Sequence, residues 1–191
     1  MNYMGLDLSC TGTGIVVLDD EGLVLATAKD GWPLDRKATV LDKIDRLIHI
    51  ATTILDLVRV HGGETASLAV GIEGYAFHAK GSTADLGELG GVVKTQLWLA
   101  HHIEPRILAV NTARSLTLGN GRIKKKLVEP TLAERGFAFG DADIADAYVI
   151  AEAVRLQAKG NIHGDGSDGE GGEAGQGGAK GRRPRRGRPG R

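Results

Sequence analysis

The chain has 191 residues, with 24 Lys and Arg against 24 Asp and Glu, so its formal net charge is zero. This length suits one folded domain and is too short for two full catalytic lobes. The single cysteine, Cys10, excludes an internal disulfide framework and a cysteine zinc site. The sequence shows neither a secretion signal nor an apolar run long enough to span a bilayer, which predicts a cytoplasmic protein without a membrane partner.

The first elements of the chain read as β-strands. Residues 3–8 and 14–18 are short apolar runs flanked by Gly and Asp, and a turn signal at residues 21–22 precedes a third strand over residues 23–29. Strands joined by short turns predict an antiparallel meander. Over residues 37–60 apolar side chains recur at helical spacing, which predicts one long amphipathic helix.

The second part of the chain alternates strands and helices. A buried strand runs up to Glu73, a helix is predicted over residues 83–101, and a fifth strand over residues 106–110. Three more helices are predicted over residues 112–118, 124–135 (interrupted by Pro130) and 142–158. The fold class is therefore α/β, a mixed five-stranded sheet that begins with the meander and is flanked by helices.

The C-terminal segment, residues 160–191, differs in composition from the rest. It is rich in glycine and almost free of large apolar side chains, so it cannot bury enough surface to offset chain entropy. We predict a disordered tail after a folded domain over residues 1–159. The cluster of basic residues at its end includes Arg182, Arg183, Arg185 and Arg186. Such tails often hold nucleic acid by charge and stacking; a solubilising tail without a defined partner is the alternative.

Two acidic residues end predicted strands. Asp7 lies near the end of the first apolar run, and Glu73 follows the buried run of residues 68–72. A carboxylate without a partner is costly to desolvate there, so each acid calls for a partner or a function. For Glu73 the alternative is a solvated acid at the end of a strand.

Two more acids begin the last helix. Asp143 and Asp146 are three residues apart, so they lie on nearly the same helix face, whereas Asp141 is better placed to cap the helix. If these two acids converge with the two strand acids, their repulsion must be relieved by protons or by cations. Oxygen ligands suit Mg²⁺, and two such ions stabilise the attacking and leaving oxygens of a phosphodiester displacement.

Five segments together resemble the RuvC-type Holliday junction resolvases of the RNase H-like superfamily, including phage-type members. The segments are GLDLSCTGTGIVVLD, IEGYAF, ADLGELGGV, GNGRIKKKLV and DIADAYVIAEA. They extend over residues 3–158, nearly all of the predicted domain. The order of an Asp, a Glu and a final D-x-x-D-A helix carries the resemblance.

The resemblance implies an Mg²⁺-dependent endonuclease, with two ions in each active site and Mn²⁺ as a substitute. Its substrates would be four-way junctions and other branched DNA, such as forks and flaps, and a phage-encoded member would act in the bacterial cytoplasm or nucleoid. By position, the implied metal-binding and catalytic acids are Asp7, Glu73, Asp143 and Asp146.

The resemblance also implies contacts with DNA. Lys125 falls on the family's basic position after a G-x-G turn, here residues 119–121, where the side chain approaches DNA phosphate. The family inserts an aromatic side chain at the junction centre from just after the Glu; a core aromatic is the alternative here. The candidate DNA-binding residues are Lys124, Lys125, Lys126, Tyr75 and Phe77.

A homodimer is a further implication, since two-fold symmetry gives paired nicks in strands of like polarity. The candidate contact is the helix over residues 86–98, because Gly87, Gly90 and Gly91 permit close packing against a neighbour. Trp98, on the apolar side of that helix, is either core or part of this contact.

Two other functions fit parts of the sequence. The opening segment also resembles the first phosphate loop of the actin and sugar-kinase superfamily, so a nucleotide-binding fragment is one alternative. Those proteins hold nucleotide between two lobes, whereas this chain has the length of one. A catalytically inactive module that binds branched DNA is the other, because fold does not fix function.

Overall fold

The computed structural model describes residues 1–63, 67–74 and 83–160, and within them the chain forms five strands and five helices. In chain order these are β1 (Asn2–Asp7), β2 (Thr13–Leu18), β3 (Val24–Asp30), α1 (Val40–His61), β4 (Leu68–Glu73), α2 (Thr83–His101), β5 (Arg106–Leu108), α3 (Val110–Leu118), α4 (Lys125–Glu134) and α5 (Ala142–Ala158). The predicted elements are all present, with ends that differ by a few residues. The predicted fold class is confirmed.

The strands form one mixed sheet in the order β3-β2-β1-β4-β5. β1 pairs antiparallel with β2, which pairs antiparallel with β3, as the predicted meander requires. β4 pairs parallel with β1 and with β5. The carboxyl ends of β1, β4 and β5 therefore meet at one edge of the sheet.

Helices cover both faces of this sheet. Met4 and Leu6 of β1 lie in the core under α1 and α2, whereas Tyr3 points into the core under α3, α4 and α5. Side chains alternate along a strand, so Asp7 belongs with Tyr3 on the α5 face. None of the helices within the described residues is long and apolar enough to cross a membrane.

Helix α5 lies directly on the sheet because glycines face it. A Cβ atom at Gly5 would lie 2.1 Å from the carbonyl oxygen of Ala147, and one at Gly14 would lie 2.1 Å from that of Asp143. Neither position accepts a side chain without a shift of backbone. This close approach brings the first turn of α5 next to the carboxyl end of β1 and the start of β2.

The predicted tail begins at the last described residue, Gly160. Residues 161–191, including Arg182, Arg183, Arg185 and Arg186, lie outside the described residues, as do Tyr75 and Phe77. The boundary between domain and tail, and the roles of these residues, stay predictions.

Candidate active site

The two strand acids lie next to each other at the carboxyl edge of the sheet. Leu6 of β1 pairs with Ile72 of the parallel strand β4, so the residues that follow, Asp7 and Glu73, are neighbours. Asp7 is buried, with 7% of its surface exposed. Both acids line a cavity of about 340 Å³.

Helix α5 brings the other two acids to the same place. Asp143 lines the cavity together with Asp7 and Glu73, and Asp146, one turn further along α5, is buried with 4% of its surface exposed. The four predicted acids thus come from two adjacent strands and one helix, which the sequence alone could not show to converge.

The side chain of Lys125 joins three of these acids. Its Nζ lies 3.1 Å from Asp7 Oδ2, 3.2 Å from Asp143 Oδ1 and 3.1 Å from Asp146 Oδ2. Hydrogen bonds form to Asp7 and Asp143. The contact to Asp146 is an ion pair without hydrogen-bond geometry, and Asp146 Oδ2 is a buried oxygen that accepts no hydrogen bond.

Arg114 of α3 fixes the other oxygen of Asp146. Its Nη2 donates to Asp146 Oδ1 at 3.1 Å, and its Nη1 donates to the carbonyl of Ile123 at 3.0 Å. Only 11% of the Arg114 side chain is exposed. Because removal of one partner from a buried ion pair leaves an uncompensated charge, Arg114 and Asp146 depend on each other.

Lys29, at the end of β3, fixes Asp143 from the other side. Its Nζ lies 2.7 Å from Asp141 Oδ2 and 2.9 Å from Asp143 Oδ2. Asp141 also accepts hydrogen bonds from the backbone N–H groups of Asp143 and Ile144. The prediction that Asp141 caps α5 is confirmed.

Sequence reasoning missed both Lys29 and Arg114. A signal existed for Arg114, which is the one charged residue in VNTARSLTL, the sequence of α3. An arginine in an otherwise uncharged helix calls for an acidic partner if that face is buried. For Lys29 the local sequence gives no comparable signal, since its partners lie more than a hundred residues away.

Burial and crowding perturb the strand acids. Burial, reinforced by the neighbouring Asp7 carboxylate, raises the pKa of Glu73 to about 7. Burial also raises the pKa of Asp7, although the Lys125 ammonium opposes this shift. Burial disfavours the charged form of Lys125, but Asp7 and Asp146 outweigh it and the net pKa is raised. The site therefore stabilises protons and cations among its carboxylates.

The donor atoms suit a hard divalent cation, since they are all carboxylate oxygens and one of them, on Asp146, is buried without a hydrogen bond. Among the described residues, however, no group of three or more His, Cys, Asp or Glu side chains is arranged to hold a metal ion. The carboxylates are spaced around the Lys125 ammonium instead. The carboxylates are therefore suitable ligands for Mg²⁺, but the distances between them in this structure fit the Lys125 ammonium.

The basic residues predicted to contact DNA lie beside this site. Lys124 precedes α4 and Lys126 lies in its first turn, and both side chains are exposed. Lys125, between them, points toward the carboxylates of Asp7, Asp143 and Asp146.

The raised pKa of Glu73 predicts a pH-dependent stability. The folded state binds the Glu73 proton more tightly than the unfolded chain, so stability is lost as pH rises from the ordinary value of 4.5 to about 7. In EDTA, Glu73→Gln should therefore melt a few degrees above wild type at about pH 8 and match it at about pH 4 or below. Thermal unfolding followed by circular dichroism measures this, and parallel pH profiles of the two proteins would contradict it.

Comparison with solved structures identifies the fold of this chain. No known family model matches the sequence, and no curated protein matches it. The structure of RuvC from Thermus thermophilus superposes with a TM-score of 0.66 at 20% identity, covering 84% of this chain and 97% of that one. T. thermophilus RuvC in complex with Holliday junction substrate superposes with a TM-score of 0.67 at 17% identity, covering 84% and 96%. The chain therefore has the RNase H-like α/β fold of RuvC.

Proposed function

We propose that this protein is a structure-selective endonuclease that cleaves Holliday junctions or other branched DNA with Mg²⁺. The observation that carries the proposal is the convergence of Asp7, Glu73, Asp143 and Asp146 at the carboxyl edge of the sheet, beside exposed lysines. Support also comes from the similar structure of RuvC in complex with Holliday junction substrate. A bacterial cytoplasm or nucleoid is the compartment in which such an enzyme would act.

In the proposed enzyme, Asp7, Asp143 and Asp146 would hold Mg²⁺ together with Glu73. Bound Mg²⁺, as two ions or with Mn²⁺ in its place, supplies an activated water and offsets the charge that develops on the attacked phosphate. Each side chain has a distinct task in preparing that site. Arg114 and Lys29 orient Asp146 and Asp143, and Glu73, whose pKa is raised to about 7 in the metal-free site, would release its proton when Mg²⁺ binds.

Charge governs how DNA approaches this site. Without a bound metal ion the carboxylates oppose a DNA phosphate, whereas the exposed Lys124 and Lys126, which flank Lys125 in the sequence, would attract the backbone. The arginines of the tail would add affinity without selecting the DNA structure, and Tyr75 or Phe77 would stack at the junction centre.

The test of this function compares DNA structures of matched sequence. We expect nicking of a four-way junction, with fork and flap substrates assayed beside it, in Mg²⁺ or Mn²⁺ and none in EDTA. Linear duplex should be cut far more slowly. Equal cutting of linear and branched DNA would contradict structure selectivity, and junction binding without cleavage in either metal would favour the inactive DNA-binding module.

The proposed enzyme is a homodimer whose contact includes α1 and α2. A groove of about 700 Å³ lies between these helices. Its lining consists of Val40, Lys43, Ile44, Leu47, Glu88, Gly91, Val92, Thr95 and Gln96. Trp98 is 54% exposed, so its alternative place in the core is wrong. At Gly87 and Gly91 an added Cβ would meet no atom of the described residues within 4 Å, so the close neighbour expected there would be a second copy.

Substitution of Gly91 tests the dimer. Gly91→Arg should fold, because the position has free space and glycine is a poor helix residue, but it should block the groove. We expect monomers by light scattering and loss of paired nicking in the junction. Gly91→Ala is the matched control, which should remain dimeric if the contact tolerates a methyl group. A monomeric wild type at micromolar concentration would contradict the dimer.

A further inference from the structure

The oxygens of the acidic cluster divide into an outer set and an inner set. The outer oxygens are Asp146 Oδ1, which pairs with Arg114, and Asp143 Oδ2, which pairs with Lys29. The remaining oxygens of these two acids, together with Asp7 Oδ2, face inward. All three inward oxygens lie within 3.2 Å of one atom, the Nζ of Lys125.

The ammonium of Lys125 therefore takes the position that a bound cation would take. Three carboxylates around one point repel each other, and a positive charge at that point relieves the repulsion. A lysine ammonium is a compact, strongly hydrated point charge, which makes it a closer substitute for a metal ion than an arginine would be.

The same side chain is free to leave. Lys125 is the first residue of α4, and 53% of its side-chain surface is exposed. Its four-carbon stem is flexible, but its partners Asp7 and Asp146 are buried, so their charges need another cation when the ammonium leaves. Withdrawal therefore becomes favourable only when another cation takes its place among the carboxylates.

We propose that Lys125 is a tethered counter-ion that occupies the cation position of the acidic cluster and must be displaced when a divalent metal ion binds. This inference rests on the proposed function and deepens it, because it makes Lys125 the residue that sets metal affinity. It also makes two roles of Lys125 mutually exclusive. The ammonium holds the carboxylates together before metal binds, and it becomes available to a DNA phosphate only afterwards.

The test measures metal binding without DNA and without turnover. Lys125→Met removes the charge and keeps an unbranched side chain, so Mn²⁺, titrated by calorimetry or electron paramagnetic resonance, should bind about tenfold more tightly or better than to wild type. Lys125→Arg retains the charge and should stay within a few-fold of wild type. Lys124→Met, which removes an adjacent exposed lysine that forms no ion pair with these carboxylates, should bind Mn²⁺ as wild type does.

Thermal unfolding gives a second, independent readout. In EDTA the Lys125→Met protein should melt below wild type, because its carboxylates have lost their counter-ion, and saturating Mn²⁺ should raise its midpoint more than that of wild type. The Lys124→Met protein should follow wild type in both conditions.

The outcomes separate this inference from the function on which it rests. Equal or weaker Mn²⁺ binding by Lys125→Met, with clear binding by wild type, would overturn the role of Lys125 and leave the nuclease proposal intact. If neither protein binds Mn²⁺ or Mg²⁺ at millimolar concentrations, the metal-dependent function and this inference both fail.

Discussion

Asp146→Asn should lower Mg²⁺-dependent cleavage of a four-way junction by about a thousandfold or more. Its inward Oδ2 is buried, and its one partner is the Lys125 ammonium at 3.1 Å, which a bound metal ion would replace. Asparagine keeps the shape and replaces one oxygen with an amide nitrogen that cannot bind Mg²⁺. Asp7→Asn and Glu73→Gln should have similar effects, measured as initial rates of nicking under single-turnover conditions.

The same substitutions should leave DNA binding intact. The acidic cluster opposes a DNA phosphate in the absence of metal, so removal of one negative charge should keep junction affinity in EDTA equal to wild type or make it tighter. Fluorescence anisotropy with a labelled junction measures this affinity. A loss of binding in parallel with cleavage would mean that the variants are misfolded or that the acids contact DNA in another way.

A neighbouring aspartate provides the control for the acid substitutions. Asp141→Asn retains a good capping residue for α5, because asparagine caps helices about as well as aspartate. It loses only a pair with the half-exposed Lys29. Cleavage within a few-fold of wild type is expected. A Glu73→Gln protein that cuts normally would show that Glu73 is not required for cleavage, as expected for an ordinary acid at the end of a strand.

Gly5→Val should lower the free energy of unfolding by about 3 kcal/mol or more, because β1 and α5 would have to separate. The first added carbon, Cβ, would lie 2.1 Å from the Ala147 carbonyl oxygen and 2.4 Å from the Ala151 nitrogen, and both are backbone atoms that cannot rotate away. Gly5→Ala should be destabilised for the same reason, by a smaller amount. Urea unfolding at constant pH in EDTA measures both.

A helical glycine supplies the matched comparison for that experiment. At Gly87 of α2 an added Cβ would meet none of the described atoms within 4 Å, so Gly87→Ala, measured at dilutions where the protein is monomeric, should be neutral or stabilise the fold by up to about 1 kcal/mol. A Gly5→Ala protein as stable as wild type would show that α5 does not lie as close to the sheet as it does here.

Local patterns in the sequence were sufficient for the elements of this fold. The spacing of apolar residues predicts α1, and the short turns of the opening segment predict the meander. The convergence of Asp7 with Glu73 needs one more fact, that their strands are adjacent and parallel, which the sheet order supplies. The sequence contains the acids but not the strand order that brings them together.

The cations around the acids were harder to predict. Lys29 reaches Asp141 from the far end of the meander, across 112 residues of sequence. The partners of a long charged side chain depend on how distant elements pack, and a local sequence pattern does not contain that information. That Lys125 approaches DNA phosphate stays a prediction, whereas its contacts with the carboxylates were not anticipated from the sequence. The family resemblance identified Lys125 as a functional residue, but its contacts depend on the three negative charges that surround its ammonium.

The pair formed by Arg114 and Asp146 limits the denticity of that acid. A free carboxylate can chelate a cation through both oxygens, but Asp146 Oδ1 is already engaged by the guanidinium of Arg114. Only Oδ2 remains to offer, so Asp146 is restricted to monodentate coordination while the pair persists. In the proposed metal site, Arg114 would thereby lower the number of carboxylate oxygens around a bound ion and leave coordination positions for water or for the oxygens of a phosphodiester.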